Sequence, residues 1–284
     1  EDQLGTSVAF IDVNGDGTKD LVMTAVMNRG DMRGYLAVIY GGPGTYAPSI
    51  DASSLAGSSL GFIITGAPSD LMGTRVAGGD VNGDGVDDVV VGAAGSVSTY
   101  VIFGNRNATT SFPSSVTSLD GKNGFRINTL GFSLSVNDID QDGYADIIAS
   151  NCVLFGASSL PATVDVNHFD GTNGFTTSVT FFTGIYTLVA SGDINGDGYP
   201  DILFGSPQTS SPGRIYCIFG RARPFPAHIL VEELDGTNGF TVSGPSVAEL
   251  LGYTMSVGDI NGDGIADVMT SAPALNEYMG GVFI

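Results

Sequence analysis

The chain of 284 residues carries a formal net charge of −20, with 42 glycines, 42% hydrophobic residues and only 14% charged ones. That is too apolar for a disordered chain, its longest apolar runs are far shorter than a membrane span, and 10 Lys and Arg are too few for a phosphate-binding surface. Sixteen of the 30 acids lie at regularly spaced positions of five short loops, so the acidity needs a chemical explanation.

The first loop follows a semi-apolar strand, Leu4-Gly5-Thr6-Ser7-Val8-Ala9, and holds Asp12, Asn14, Asp16, Thr18 and Asp20. The same pattern, D-x-[DN]-x-D-G-x-x-D, returns as Asp80, Asn82, Asp84, Val86 and Asp88, then as Asp138, Asp140, Asp142, Tyr144 and Asp146. The last two copies are Asp193, Asn195, Asp197, Tyr199 and Asp201, and Asp259, Asn261, Asp263, Ile265 and Asp267. Positions 1, 3, 5 and 9 offer side-chain oxygens, position 7 can offer its backbone carbonyl, and Gly at position 6 permits a sharp turn. A hard cation with many oxygen ligands requires this arrangement. One D-G-rich loop would pass as a solvated turn, but five copies with every acid retained point to calcium, at about five sites.

Each loop sits in the same local order. A Gly lies seven residues ahead of the first Asp in Leu4-Gly5, Met72-Gly73, Leu130-Gly131 and Leu251-Gly252, whereas the fourth copy has Tyr186 there and Gly184 two residues earlier. A short apolar run follows each loop: Leu21-Val22-Met23, Val89-Val90-Val91, Ile147-Ile148, Ile202-Leu203-Phe204 and Val268-Met269. A third strand then ends on aromatic-Gly at Tyr40-Gly41, Phe103-Gly104, Phe155-Gly156 and Phe219-Gly220. A longer connection leads to Gly61-Phe62, or to the Asp-Gly-x-Asn-Gly-Phe turns ending at Phe125, Phe175 and Phe240, each opening a fourth strand. The loops recur 68, 58, 55 and 66 residues apart, with Gly and Pro too frequent for helices of ten residues or more. A repeat of about 60 residues with four short strands is the signature of a propeller blade.

The arrangement resembles the FG-GAP repeat of the integrin α-subunit β-propeller, over the whole chain. In that repeat an aromatic-Gly opens the first strand, the calcium loop joins strands one and two, and Gly-Ala-Pro closes strand two. Here an aliphatic residue replaces the Phe, and Gly92-Ala93-Ala94, Gly205-Ser206-Pro207 and Ser271-Ala272-Pro273 match the third element imperfectly. Ala25-Val26 and Ser150-Asn151 have lost it. The resemblance implies calcium at the loops; it carries over no residue-level motif for integrin ligands.

The expected fold is all-β, a β-propeller of four-stranded antiparallel blades at 1–68, 69–127, 128–180, 181–247 and 248–284, the last incomplete at Gly281-Val282-Phe283-Ile284. Neither end supplies the strand needed to close a ring, so a longer parent chain and a seven-bladed ring are expected, with a five-bladed ring as the alternative. The expected function is a non-catalytic, extracellular or cell-surface module for adhesion, protein recognition or surface assembly. A calcium-dependent glycan-binding propeller and an accessory domain of a secreted enzyme stay open. A protein or glycan partner would use the face opposite the calcium loops, through Met27 to Arg33, Gln208 to Gly213 and Leu275 to Met279.

Other candidates are weaker. His168 and His228 do not recur in the repeat and have no nucleophile motif beside them. Arg29-Gly30-Asp31 reproduces an adhesion tripeptide within a Gly-rich loop, where coincidence accounts for it, and Asn107-Ala108-Thr109 is the single glycosylation sequon. Strand alternation sends Cys152 and Cys217 to opposite faces, so two buried free thiols are expected. Tyr40, Phe103, Phe155 and Phe219 are expected to pack between strands rather than to bind a ligand.

Overall fold

The computed structural model describes residues 3–27, 32–106, 112–180, 188–208, 212–246, 249–274 and 280–284. Outside them lie Arg29-Gly30-Asp31, the sequon Asn107-Ala108-Thr109, Gly184 with Tyr186, residues 209–211 and Leu275 to Met279. The chain separates into two compact units, Glu1–Gly131 with Ala157–Asp165, and Phe132–Gly156 with Val166–Ile284.

The first unit holds two sheets. One is an antiparallel meander of β1 (Leu4–Ile11), β2 (Asp20–Ala25), β3 (Tyr35–Ile39) and β4 (Gly61–Thr65). The other repeats that order with β5 (Met72–Gly79), β6 (Asp88–Ala93), β7 (Ser98–Ile102) and β8 (Gly124–Ile127). In the second unit β9 (Leu134–Asn137), β10 (Asp146–Ala149), β11 (Cys152–Leu154) and β13 (Gly174–Thr177) form the third sheet. The fourth contains β14 (Leu188–Gly192), β15 (Asp201–Ser206), β16 (Arg214–Ile218) and β18 (Gly239–Ser243), and the fifth β19 (Met255–Gly258), β20 (Asp267–Ala272) and β21 (Gly281–Phe283). Among the described residues no helix is long and apolar enough to cross a membrane.

The third sheet and the second each gain a strand that the sequence does not announce. β12 (Thr163–Val164) pairs parallel with β8, and β17 (His228–Ile229) pairs parallel with β13. A single bridge between Thr65 and Ser115 repeats the arrangement on β4. In all three places the connection inside one repeat covers the outer edge strand of the repeat before it. An edge strand otherwise presents unpaired N–H and C=O groups, which explains why these two-residue strands form without a strand-like sequence.

The second strands are apolar on both faces because they lie in the middle of their sheets. Every residue of β6, β10 and β15 is buried. Within the first unit β1 and β2 pack on β5, and within the second β14 lies against β9 and β19. The aromatic before each Gly closes the sheet against the Phe that opens strand four. Tyr40–Phe62, Phe103–Phe125, Phe155–Phe175 and Phe219–Phe240 have ring centroids 5.7 to 6.0 Å apart, in the tilted arrangement aromatic pairs favour. Cys152 and Cys217 are buried free thiols, and burial pushes the Cys217 thiol up.

Close backbone approach explains the strand-opening Gly131 and Gly252, whereas Gly5 sits in open space at φ +95°. A Cβ on Gly92 would lie 1.9 Å from the Gly131 carbonyl oxygen, and one on Gly131 would lie 2.3 Å from the Gly92 Cα. Gly252 likewise sits beside Gly205 in the second unit, at φ +86°. Two of the imperfect Gly-Ala-Pro elements, at Gly92 and Gly205, thus keep their Gly where the next repeat's Gly needs room.

One carboxylate ties each repeat together. The Asp at loop position 9 opens the second strand, and its Oδ2 accepts the amide of loop position 2: Val13, Val81, Ile139, Ile194 and Ile260, all at 2.9–3.0 Å. In the first four repeats its Oδ1 also accepts the amide of the Gly after the strand-three aromatic: Gly41, Gly104, Gly156 and Gly220, at 2.8–2.9 Å. Asp20, Asp88, Asp146 and Asp201 have no exposed surface. The carboxylate therefore fixes the loop's entry, its exit and the end of strand three at one point.

Two outcomes follow. Asp201→Ala, measured by urea unfolding in EDTA, should lose about 2–4 kcal/mol because two amides lose their acceptor, while exposed Asp197→Ala should lose under about 1 kcal/mol. Equal losses would remove the Asp201 hydrogen bonds from the account. Gly92→Ala should cost about 3 kcal/mol or more through backbone overlap. Gly5→Ala, at φ +95° in open space, should cost only about 1–2 kcal/mol; a Gly92 variant no worse than the Gly5 one would contradict the close approach.

Candidate cation-binding loops

The five acidic loops fold alike before any ion is considered. Position 1 accepts the amide of position 6 on its Oδ2 in every copy: Asp12 from Gly17, Asp80 from Gly85, Asp138 from Gly143, Asp193 from Gly198 and Asp259 from Gly264, at 2.7–2.9 Å. Position 3 accepts the amide of position 5 through Asn14, Asn82, Asp140, Asn195 and Asn261, at 2.8–3.2 Å. Position 5 accepts the amide of position 7 through Asp16, Asp84, Asp142, Asp197 and Asp263, at 2.8–3.0 Å. These are Asx turns wound head to tail. The position-1 carboxylate accepts a second amide on its other oxygen, as Asp12 does from Asp16, and because an ionised carboxylate has about four acceptor sites, capacity remains after these bonds.

Position 4 has the same left-handed backbone in all five loops, with φ from 58 to 79° at Gly15, Gly83, Gln141, Gly196 and Gly262. Glycine accepts that conformation without a Cβ penalty. The third loop places Gln141 there, and its amide nitrogen reaches the Gly198 carbonyl of the fourth loop within the same unit. The sequence pattern fixes position 6 as Gly but leaves position 4 open, so this second constraint is visible only in the backbone.

The third loop differs in charge. It alone has Asp at position 3, and carboxylate oxygens of Asp138, Asp140 and Asp146 lie within 4.8 Å of one another. Arg223, from the connection after β16, enters this cluster: its Nε pairs with Asp140 and its terminal nitrogen with Asp142. Burial outweighs Arg223 and pushes the Asp140 carboxyl up. Burial also pushes Asp88 and Asp146 up to about 8, against the amide hydrogen bonds each accepts. Desolvation disfavours the charged form, and a nearby positive charge restores it.

The Asp-Gly-x-Asn-Gly-Phe turns are a different device. Asp120, Asp170 and Asp235 accept amides two residues on, while Asn123, Asn173 and Asn238 return a bond to the Asp amide. Hydrogen bonding holds these three exposed carboxyls below their usual range. His228 lies exposed on β17 with Nδ1 2.8 Å from Thr176 Oγ1, a structural contact on the covered edge.

Comparison with known proteins agrees with the repeat. Residues 186–216 and 251–282 match the FG-GAP repeat, and residues 80–149 match the FG-GAP-like repeat. Integrin alpha-6 of Gallus gallus is 31% identical over 152 residues, covering 50% of this chain and 13% of that protein. Integrin alpha-7 of Homo sapiens is 31% identical over 166 residues, 55% of this chain and 13% of that protein. Phosphatidylinositol-glycan-specific phospholipase D of Bos taurus is 31% identical over 112 residues, 36% of this chain and 13% of that protein. The Bap1 biofilm matrix protein of V. cholerae aligns with 75% of this chain and 37% of its own at 19% identity, and a TM-score of 0.31 carries no weight on architecture. The matched region spans only 13% of each of these three relatives. The chain thus contains FG-GAP repeats, and over about half of its length it is similar to integrin α subunits.

Proposed function

We propose that the chain is a calcium-rigidified β-propeller segment that serves as an extracellular recognition module. The observation that carries this reading is the identical oxygen array in all five loops. Side-chain oxygens at positions 1, 3, 5 and 9 are preset by backbone hydrogen bonds, and no nitrogen or sulfur donor stands among them. That donor set suits a hard cation. Asp12, Asn14, Asp16, Asp20 and the Thr18 carbonyl would hold the first ion, and the corresponding residues of the other loops the remaining four. A bound divalent cation would supply positive charge to the three or four carboxylates at these positions in each loop.

The five blades would be those marked by the repeats, 1–68, 69–127, 128–180, 181–247 and 248–284. A ring with further blades, seven by likeness to integrin α subunits, fits the apolar side chains left exposed on β1, where Phe10 is 70% and Val8 51% exposed. With the loops at one end committed to metal, the longer connections at the other end are the natural contacts for a protein or glycan partner. Similarity to integrin α subunits favours protein recognition and adhesion at the cell surface, without catalysis. A second reading, an accessory domain of a larger secreted enzyme, rests on the similarity to the phospholipase D relatives.

Extracellular calcium modules bind at about 0.1–1 mM, so a site with a Kd of ~0.1 mM gains about 1.4 kcal/mol at ~1 mM calcium. Five such sites should place the melting temperature in calcium on the order of 10 °C above that in EDTA. Elemental analysis should find close to one calcium per loop. An unchanged melting curve together with calcium-free protein would remove the assignment.

A further inference from the structure

We infer that Arg223 is a tethered cation that occupies the third loop and sets its calcium affinity apart from the other four. The inference rests on the calcium reading of the loops and extends it to a residue outside the repeat pattern.

The geometry is specific. Arg223 follows the fourth repeat's aromatic-Gly, in Phe219-Gly220-Arg221-Ala222-Arg223, and its guanidinium lies 4.8 Å over the Phe155 ring that ends β11. One edge of the fork faces Asp140 and Asp142, and Nη1 donates to the Thr172 carbonyl at 3.2 Å. The Asp140 side chain is 1% exposed and that of Arg223 26%, so the pair is largely out of water. Stacking on Phe155 and the Thr172 bond preorganise the guanidinium, so the pairing forms without much loss of side-chain freedom.

Neighbouring loops show the contrast. Arg106, which follows the second repeat's aromatic-Gly, donates to the carbonyl oxygens of Asp84 and Gly85 and not to a carboxylate of its loop. Lys19 pairs with Asp87, at loop position 8, outside the oxygen array. Among the described residues, only the third loop has a side-chain cation on carboxylates at positions 3 and 5. It is also the loop with a fourth acid, Asp140 where the others have Asn. The added negative charge and the arginine offset each other, which returns the charge over positions 1, 3, 5 and 9 to that of the other four loops.

The same oxygens cannot serve both cations in full. Calcium at the third loop must draw Asp140 and Asp142 away from the guanidinium, so its binding costs an ion pair that the other loops do not lose. When Arg223 leaves, the segment from Gly220 to Pro226 loses one of its anchors on the third repeat, while Phe225 stays stacked on Phe175. Occupancy of this one loop is thereby coupled to how firmly the fourth repeat's connection is held.

Terbium luminescence isolates the site. Only the third and fourth loops carry Tyr at position 7, so in a Tyr199→Phe background sensitised emission reports mainly the Tyr144 loop. That protein should bind terbium at the third loop more weakly than the four-loop average read by calorimetry. Adding Arg223→Gln should tighten the luminescence titration about 10-fold or more, because an opposite charge within ~4–6 Å biases a carboxylate by one to three decades. Arg223→Lys, which keeps the charge and loses the fork, should fall between them and guards against misfolding of the Gln variant. Identical titrations for all three proteins overturn the role of Arg223 while leaving the other loops as cation sites. Absence of terbium binding at every loop by calorimetry overturns the calcium reading, and this inference with it.

Discussion

The carboxylate at loop position 9 is the constraint on which the rest of the repeat depends. It is buried in four repeats, yet it has two backbone amides to satisfy, one from the loop and one from the end of strand three. A buried amide without an acceptor costs more than the bond gains, so the carboxylate, the loop and the aromatic-Gly turn must form together. Burial alone would keep such an acid protonated, as the raised values for Asp88 and Asp146 indicate. A cation held by the residues at loop positions 1, 3 and 5 would supply positive charge next to the carboxylate, and in the third loop oxygens of Asp138, Asp140 and Asp146 already lie within 4.8 Å of one another. Structural bracket and proposed cation site share one residue.

Much of this is legible in the sequence, because the chemistry is periodic. Five copies of one spacing expose the loops, and the apolar runs at Val89-Val90-Val91 or Ile202-Leu203-Phe204 mark central strands at once. The aromatic-Gly and Asn-Gly-Phe elements locate strands three and four, and their rings do meet. Other features resist a linear reading. The edge pairings of Thr163–Val164 and His228–Ile229 come from connections with no alternation of their own, formed because an edge strand is close by. Gln141 occupies a left-handed position that only its neighbours' glycines hint at. Arg223 is 77 residues beyond the end of the loop it enters, so no local window contains the pair.

The glycines repay the same attention. Gly131 and Gly92, or Gly252 and Gly205, meet between consecutive repeats where backbones come too close for a side chain. The opening Gly and the Gly of the weakened Gly-Ala-Pro element are thus two halves of one contact. The Ala and Pro of that element can vary, as Gly92-Ala93-Ala94 shows, because the contact needs only the Gly. In a repeat protein built this way, consecutive repeats within each compact unit are joined directly by backbone contacts.

The most direct test of the cation reading is long-wavelength anomalous diffraction from crystals grown at saturating calcium. The account predicts five anomalous peaks, one per acidic loop, each about 2.3–2.6 Å from oxygens at positions 1, 3, 5, 7 and 9, with the Asp20, Asp88, Asp146 and Asp201 amide bonds retained. Loops that keep those bonds but show no peak, or calcium bound elsewhere on the chain, would contradict it.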